Sequence, residues 1–173
     1  MTQLCDGVES GHHLPRPNRA VTDRPPNPGM APAEDARADA IVTRWYDLID
    51  RGRIAEACLL FHADIEWIEA EGSPYGAPGT ALVGVAEIVT EVFTPLARDW
   101  AELRILRDEI LPGQPVIVFA RYVGIHRASG RRLDAQVLHL WDIAAGRVKR
   151  YRSYADTLAL DNALHGGAAA GTG

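Results

Sequence analysis

The period of the apolar residues, helical but for one short strand before Ala101, becomes two from there onward, and that change restricts the fold more than any single residue does. From Ala101 onward apolar positions recur every second residue. Leu103 with Ile105, Val116 to Gly124, Leu133 to Ile143 and Val148 to Tyr154 read as four β segments. Pro112-Gly113, Ser129-Gly130 and Ala145-Gly146 lie between them, the turn chemistry that joins antiparallel neighbours. Before Ala101 the spacing is helical. Ile41, Trp45, Leu48 and Ile49 fall on one helix face, which follows Pro32 and an acidic first turn (Glu34, Asp35) and stops at Gly52. Ile54, Ala57, Cys58 and Phe61 repeat that spacing, and Val85, Ile88, Val89 and Val92 mark a third helix that Pro95 kinks or ends. Between the second and third helices, Asp64 to Glu69 alternates as a strand, with Ile65, Trp67 and Glu69 on one face. Helices first and a meander afterwards predict an α+β fold, three helices packed on a curved, mainly antiparallel sheet.

The ends differ from this middle. Residues 1–33 hold six prolines and no apolar periodicity, and read as a disordered extension without the apolar stretch of a secretory signal. The domain is expected over 34–160, with a flexible Gly/Ala tail over 161–173. The acids and arginines of the first 33 residues cancel, so the net charge of −5 belongs to the rest, and nucleic acid is not an expected partner. No stretch approaches the 18 apolar residues or so that a membrane-spanning helix needs, and a cytoplasmic protein with no membrane partner is expected. Cys5 and Cys58 form no disulfide framework, and Cys58 reads as buried and inert. His12-His13 is too isolated for a site.

Several stretches then carry a resemblance. Arg44 to Ala70 (R-W-Y-D-L-I-D-R-G-R-I-A-E-A-C-L-L-F-H-A-D-I-E-W-I-E-A), with Gly52, the Phe61 and Asp64 of an F-x-x-D strand entry and the acid Glu69, resembles ketosteroid isomerase in register from the first helix through the first strand. S-P-Y-G, then H-L-W-D-I and G-R-V-K-R-Y-R-S-Y-A-D, resemble the closing strands of SnoaL-like polyketide cyclases. Over about residues 38–157 the chain is similar to the nuclear-transport-factor-2-like superfamily, which implies a cone-shaped α+β fold and a homodimer formed through the sheet. Function does not follow from a fold that hosts many chemistries.

Glu69 is the leading candidate. If Ile65 and Trp67 face the core, its carboxyl is carried into apolar surroundings, where desolvation raises the pKa toward general-base work. Otherwise it ends the strand in water. The resemblance puts Glu69 where the isomerase keeps its proton-shuttling acid, but Trp45 stands at the tyrosine oxyanion donor and Val137–Leu138 near the second donor. Steroid isomerisation is therefore not expected. His139 is either an acid/base group in a cavity or a core histidine bonded to a carboxylate such as Asp156. The resemblance to the cyclases makes Asp156 a second acid/base candidate; a C-terminal cap or an ion pair with Arg152 or Arg150 is the other reading. Trp45, Trp67, Trp141 and Tyr154 are candidates for lining one apolar chamber, or plain core. Arg121 is available to bridge two acids, as an epoxide-hydrolase version of the fold needs, although the flanking aspartates are not evident.

His62, Asp64 and Glu66 share a strand face in a spacing that matches no specific metal site, and the cations of Arg147 to Arg152 suit pairing with the acidic first strand. No phosphate-binding glycine loop or G-x-S-x-G motif occurs, so no cofactor and no metal are expected. Two functions remain open. One is a cofactor-free isomerase, cyclase or hydrolase on an apolar carbonyl compound, with Glu69 as base and His139 or Asp156 as acid. The other is a non-catalytic module for an apolar ligand or for dimerisation.

Overall fold

The structure, a computed structural model, describes residues 32–77 and 79–166. Expectations for the proline-rich segment, His12-His13, Cys5 and the last glycines lie outside those residues, save that helix already begins at Pro32.

α1 (Pro32–Asp50) and the short α2 (Ile54–Cys58) precede β1 (Phe61–Ile68) and the two-residue β2 (Leu82–Val83). α3 (Val85–Ile88), a π-helical turn (Val89–Phe93) and α4 (Thr94–Asp99) follow as one continuous rod. β3 (Trp100–Leu111), β4 (Val116–His126), β5 (Arg132–Ala144) and β6 (Arg147–Ala155) form the meander, and α5 (Thr157–His165) closes the chain. The sheet order is β2-β1-β6-β5-β4-β3, antiparallel except where β1 runs parallel to β6. This is the expected α+β cone with its four late strands. The boundary expected at residue 160 cuts through α5, whose Leu160, Ala163 and Leu164 are buried.

The α1 face differs slightly from the expected one. Ala38, Val42, Trp45 and Tyr46 are buried while Ile41 and Ile49 are only half-buried, so the core stripe is centred nearer Val42 and Tyr46. Phe61 belongs to β1 rather than α2, because the helix stops at Cys58. Gly52, at φ 69°, takes the left-handed conformation that ends α1 and turns the chain back.

Pro95 does not end the third helix. It sits in the first turn of α4, where a missing N–H is tolerated, and the π turn before it absorbs the irregularity. Proline offers no N–H to the carbonyl four residues earlier, and that carbonyl, on Glu91, accepts from the Gly76 N–H at 2.9 Å instead. The loop after β1 is thereby tied to the helical rod. Gly76 lies so close to β1's end that a Cβ there would sit 3.2 Å from Glu69 Cγ, and its φ of 70° already favours glycine.

β6 contains an irregularity that decides which of its side chains face inward. Asp142 pairs with Arg150 but Ile143 pairs with Val148, which leaves Lys149 as an extra residue. A count by twos from Val148 reaches Tyr154; the bulge shifts it, so Tyr151 and Ser153 are buried and Tyr154 is 50% exposed. The strand cations pair across to β1 as expected: Arg150 with Glu66 at 2.6 Å and Lys149 with Asp64 at 2.5 Å.

Candidate functional site

The helices and the inner face of the sheet enclose a narrow chamber of about 70 Å³. Trp45 of α1, Trp67 of β1, Tyr122 of β4 and Tyr151 of β6 line one part of it; Tyr75, Trp100 and Leu160 line another. Trp67 stacks on Tyr151 with ring centroids 3.7 Å apart, and Trp141 packs behind Trp45 at 4.7 Å without lining the chamber. The chamber is therefore aromatic, with few polar atoms.

Glu69 is one of those few. It follows β1 directly and keeps the parity of Ile65 and Trp67, both buried. Trp67 Nε1–H donates to Glu69 Oε1 at 2.7 Å and Ser153 Oγ–H donates to Oε2 at 3.3 Å. Burial pushes the carboxyl pKa above its ordinary value, and these two donors pull part of the way back. Glu69 as a whole residue is only half-buried, because it also borders an outer cleft beside β6. Trp45, another lining residue, is 3% exposed, and its buried indole Nε1 has no hydrogen-bond partner among the described residues. A buried donor left unpaired costs about 1–3 kcal/mol.

His139 does not line the chamber and does not meet Asp156. It is fully buried, with Nδ1 2.5 Å from the Tyr46 hydroxyl and Nε2 2.8 Å from the Tyr122 hydroxyl. Trp141 Nε1–H donates to the same Tyr46 hydroxyl at 3.2 Å. Burial drives the imidazole down to about 3, so the ring is neutral at ordinary pH, and raises the phenols of Tyr46, Tyr122 and Tyr151. The partners of this histidine are hydroxyls, not a carboxylate. Tyr122, and Tyr151 hydrogen-bonded to it, carry the network to the chamber surface.

The remaining candidates lie elsewhere. Asp156 is exposed and caps α5, accepting from Ala159 N–H at 3.0 Å. Arg121 points away from the chamber, because β4 turns Val116, Val118 and Ala120 inward and the odd-numbered residues outward; it pairs with Asp134 at 2.7 Å. Tyr154 is outward for the reason given above. His62, Asp64 and Glu66 form a solvent-side ion-pair cluster with Lys149 and Arg150. Tyr122, Tyr151, Tyr75 and Trp100 are lining residues that the sequence reading missed. Tyr122 was findable, since it shares the parity of Val116, Val118 and Ala120. Tyr75 and Trp100 meet only through the tertiary fold, where Trp100 Nε1–H donates to the Tyr75 hydroxyl at 2.7 Å.

The chain belongs to the SnoaL-like domain family, whose signature matches residues 42–151. No curated protein matches it. Among solved structures, an NTF2-like protein from Burkholderia thailandensis E264 is 29% identical, with a TM-score of 0.69 over 74% of this chain and 97% of its own. TerC, co-crystallized with polyporic acid, is 23% identical with a TM-score of 0.65, over 74% of this chain and 98% of its own. A protein from Jannaschia sp. CCS1, assigned provisionally as a SnoaL-like polyketide cyclase, is 19% identical with a TM-score of 0.65, over 80% of this chain and 98% of its own. The last two likenesses speak for the fold alone.

Proposed function

We propose that this SnoaL-like domain binds a small, largely apolar carbonyl compound in the aromatic chamber and that Glu69 acts on it as a general acid/base without a cofactor. One observation carries the reading: a carboxylate with a raised pKa, fixed by Trp67 and Ser153, borders a chamber otherwise lined mainly by aromatic and aliphatic side chains. A carboxylate in that state is a stronger base than one in water, and its two donors leave it oriented rather than neutralised. Proton transfer next to a carbonyl, the step shared by isomerases and cyclases, needs such a base. That TerC was co-crystallized with polyporic acid supports a ligand in a fold of this kind.

The test is exchange of the α-protons of acetophenone in D₂O, followed by proton NMR. The wild-type protein accelerates exchange, and Glu69→Gln lowers that acceleration by about 100-fold or more. Exchange by Glu69→Gln at the wild-type rate removes Glu69 from the role of base. A second reading, a non-catalytic apolar-ligand module, is favoured by the small chamber and by the absence of His139 and Asp156 from its wall. It predicts that ligand binds with no exchange in either form. Phe119, Leu138 and Tyr154 lie side by side on the outer face of β4, β5 and β6, which supports a dimer formed through the sheet.

A further inference from the structure

The chamber of about 70 Å³ is small beside the roughly 300–1,000 Å³ of ordinary ligand sites. It has a neighbour. A cleft of about 520 Å³ lies against the end of β6, and Glu69, Ala70 and Ala155 border both spaces. Ser153, which donates to Glu69, lines the cleft as well. The partition is thin for a topological reason: the β1–β6 ladder ends with Ile68 opposite Arg152, while β6 runs on to Ala155. On the β1 side, Ser153 to Ala155 therefore has no strand against it, and the two side chains of this stretch that face inward, Ser153 and Ala155, are small.

Arg152 stands where the ladder ends and lines the cleft. The other cations of β6 are spoken for. Lys149 pairs with Asp64, Arg150 with Glu66, and Arg147 donates to the Leu59 carbonyl at 2.5 Å. Arg152 forms no ion pair with a carboxylate among the described residues; the one hydrogen bond of its side chain runs to the Tyr154 hydroxyl at 3.4 Å. Glu71 is the acid that shares the cleft with it, besides Glu69 in the partition. A half-buried guanidinium without a carboxylate, beside an apolar chamber, fits one end of an amphiphile.

We propose that chamber and cleft form one site for an aromatic compound bearing an anionic group, its rings among Trp45, Trp67 and Tyr151 and its carboxylate, sulfonate or phenolate on Arg152. This deepens the proposed function and rests on its reading of the chamber as a ligand site. It makes Arg152 a specificity residue: the ring system supplies affinity and the guanidinium selects for charge.

Two probes with nearly the same ring system test it, anilinonaphthalene sulfonate, which is an anion, and N-phenylnaphthylamine, which is neutral. Binding is read from probe emission and tryptophan quenching at moderate salt, with circular dichroism confirming the fold of each variant. The wild type binds both, and Arg152→Gln weakens the sulfonate about tenfold, the worth of a charge-assisted hydrogen bond, while the neutral probe is unaffected. Arg150→Gln, the same charge change two residues away, leaves both probes as in the wild type. Equal effects of Arg152→Gln on the two probes, or equal weakening of the sulfonate by the two variants, overturns the assignment of Arg152 and leaves the chamber reading standing. Binding of the neutral probe without the sulfonate overturns the anion selection and leaves the chamber reading standing; failure of both probes to bind the wild type overturns both.

Discussion

Acidification is expected to destabilise this protein through one buried ring. His139 has an ordinary value of 6.5 in the unfolded chain and about 3 in the folded one, where it is enclosed with Tyr46 and Tyr122. Between those pH values the unfolded chain holds one proton more than the folded chain, so stability rises with pH and falls on acidification. The slope is about 1.4 kcal/mol per pH unit, which from pH 6.5 to pH 4 amounts to roughly 3 kcal/mol. That is a large share of the 5–15 kcal/mol or so that stabilises a domain. Glu69 opposes it: burial raises its carboxyl, so its contribution is present at low pH and lost as pH rises through the folded value. The comparison with His139→Gln isolates the histidine, because Glu69 and every surface group are common to both proteins. Urea unfolding at pH 7, 6, 5 and 4, followed by tryptophan fluorescence, gives the stability difference at each pH. The variant has its own cost at pH 7, and only the change with pH matters. A difference that shrinks by roughly 3 kcal/mol toward pH 4 fits a neutral buried imidazole. A difference that stays constant refutes the burial argument, since a ring able to take a proton in the folded state produces no slope.

Other perturbations follow from the same contacts. Tyr122→Phe removes the hydroxyl beside His139 Nε2 and is expected to cost about 1–3 kcal/mol in urea unfolding at pH 7, with little change in denaturant dependence. Asp156→Ala removes the cap of α5 and is expected to cost about 1 kcal/mol while leaving acetophenone exchange unchanged, which distinguishes a cap from an acid/base group. Phe119→Arg places a charge in the exposed row with Leu138 and Tyr154, and sedimentation is expected to show a smaller species than for the wild type; an unchanged mass argues against a dimer through this face.

The sequence by itself determined the order of the main elements from α1 through β6, though not β2 or α5, because a period of 3.6 or two follows from local backbone geometry and needs no distant partner. It left the direction of Glu69 open between core and water; once Ile65 and Trp67 are known to be buried, alternation carries their orientation one step further, and the contacts that hold the Gly76 loop against that position belong to the tertiary structure. Alternation was equally sufficient to send Arg121 outward and Tyr122 inward once Val116, Val118 and Ala120 were known to face the core. What alternation alone does not supply is a bulge. The extra residue at Lys149 exchanges Tyr154 for Tyr151 on the inner face, and it is visible only in the pairing of β6 with β5. The partners of His139 belong to the same class, since Tyr46 lies 93 residues away and Tyr122 lies 17 away on the neighbouring strand. Periodicity states which face a side chain takes; the packing of helix on sheet states what it meets there, and in this protein that second step separated a buried neutral histidine from a carboxylate at the edge of a chamber.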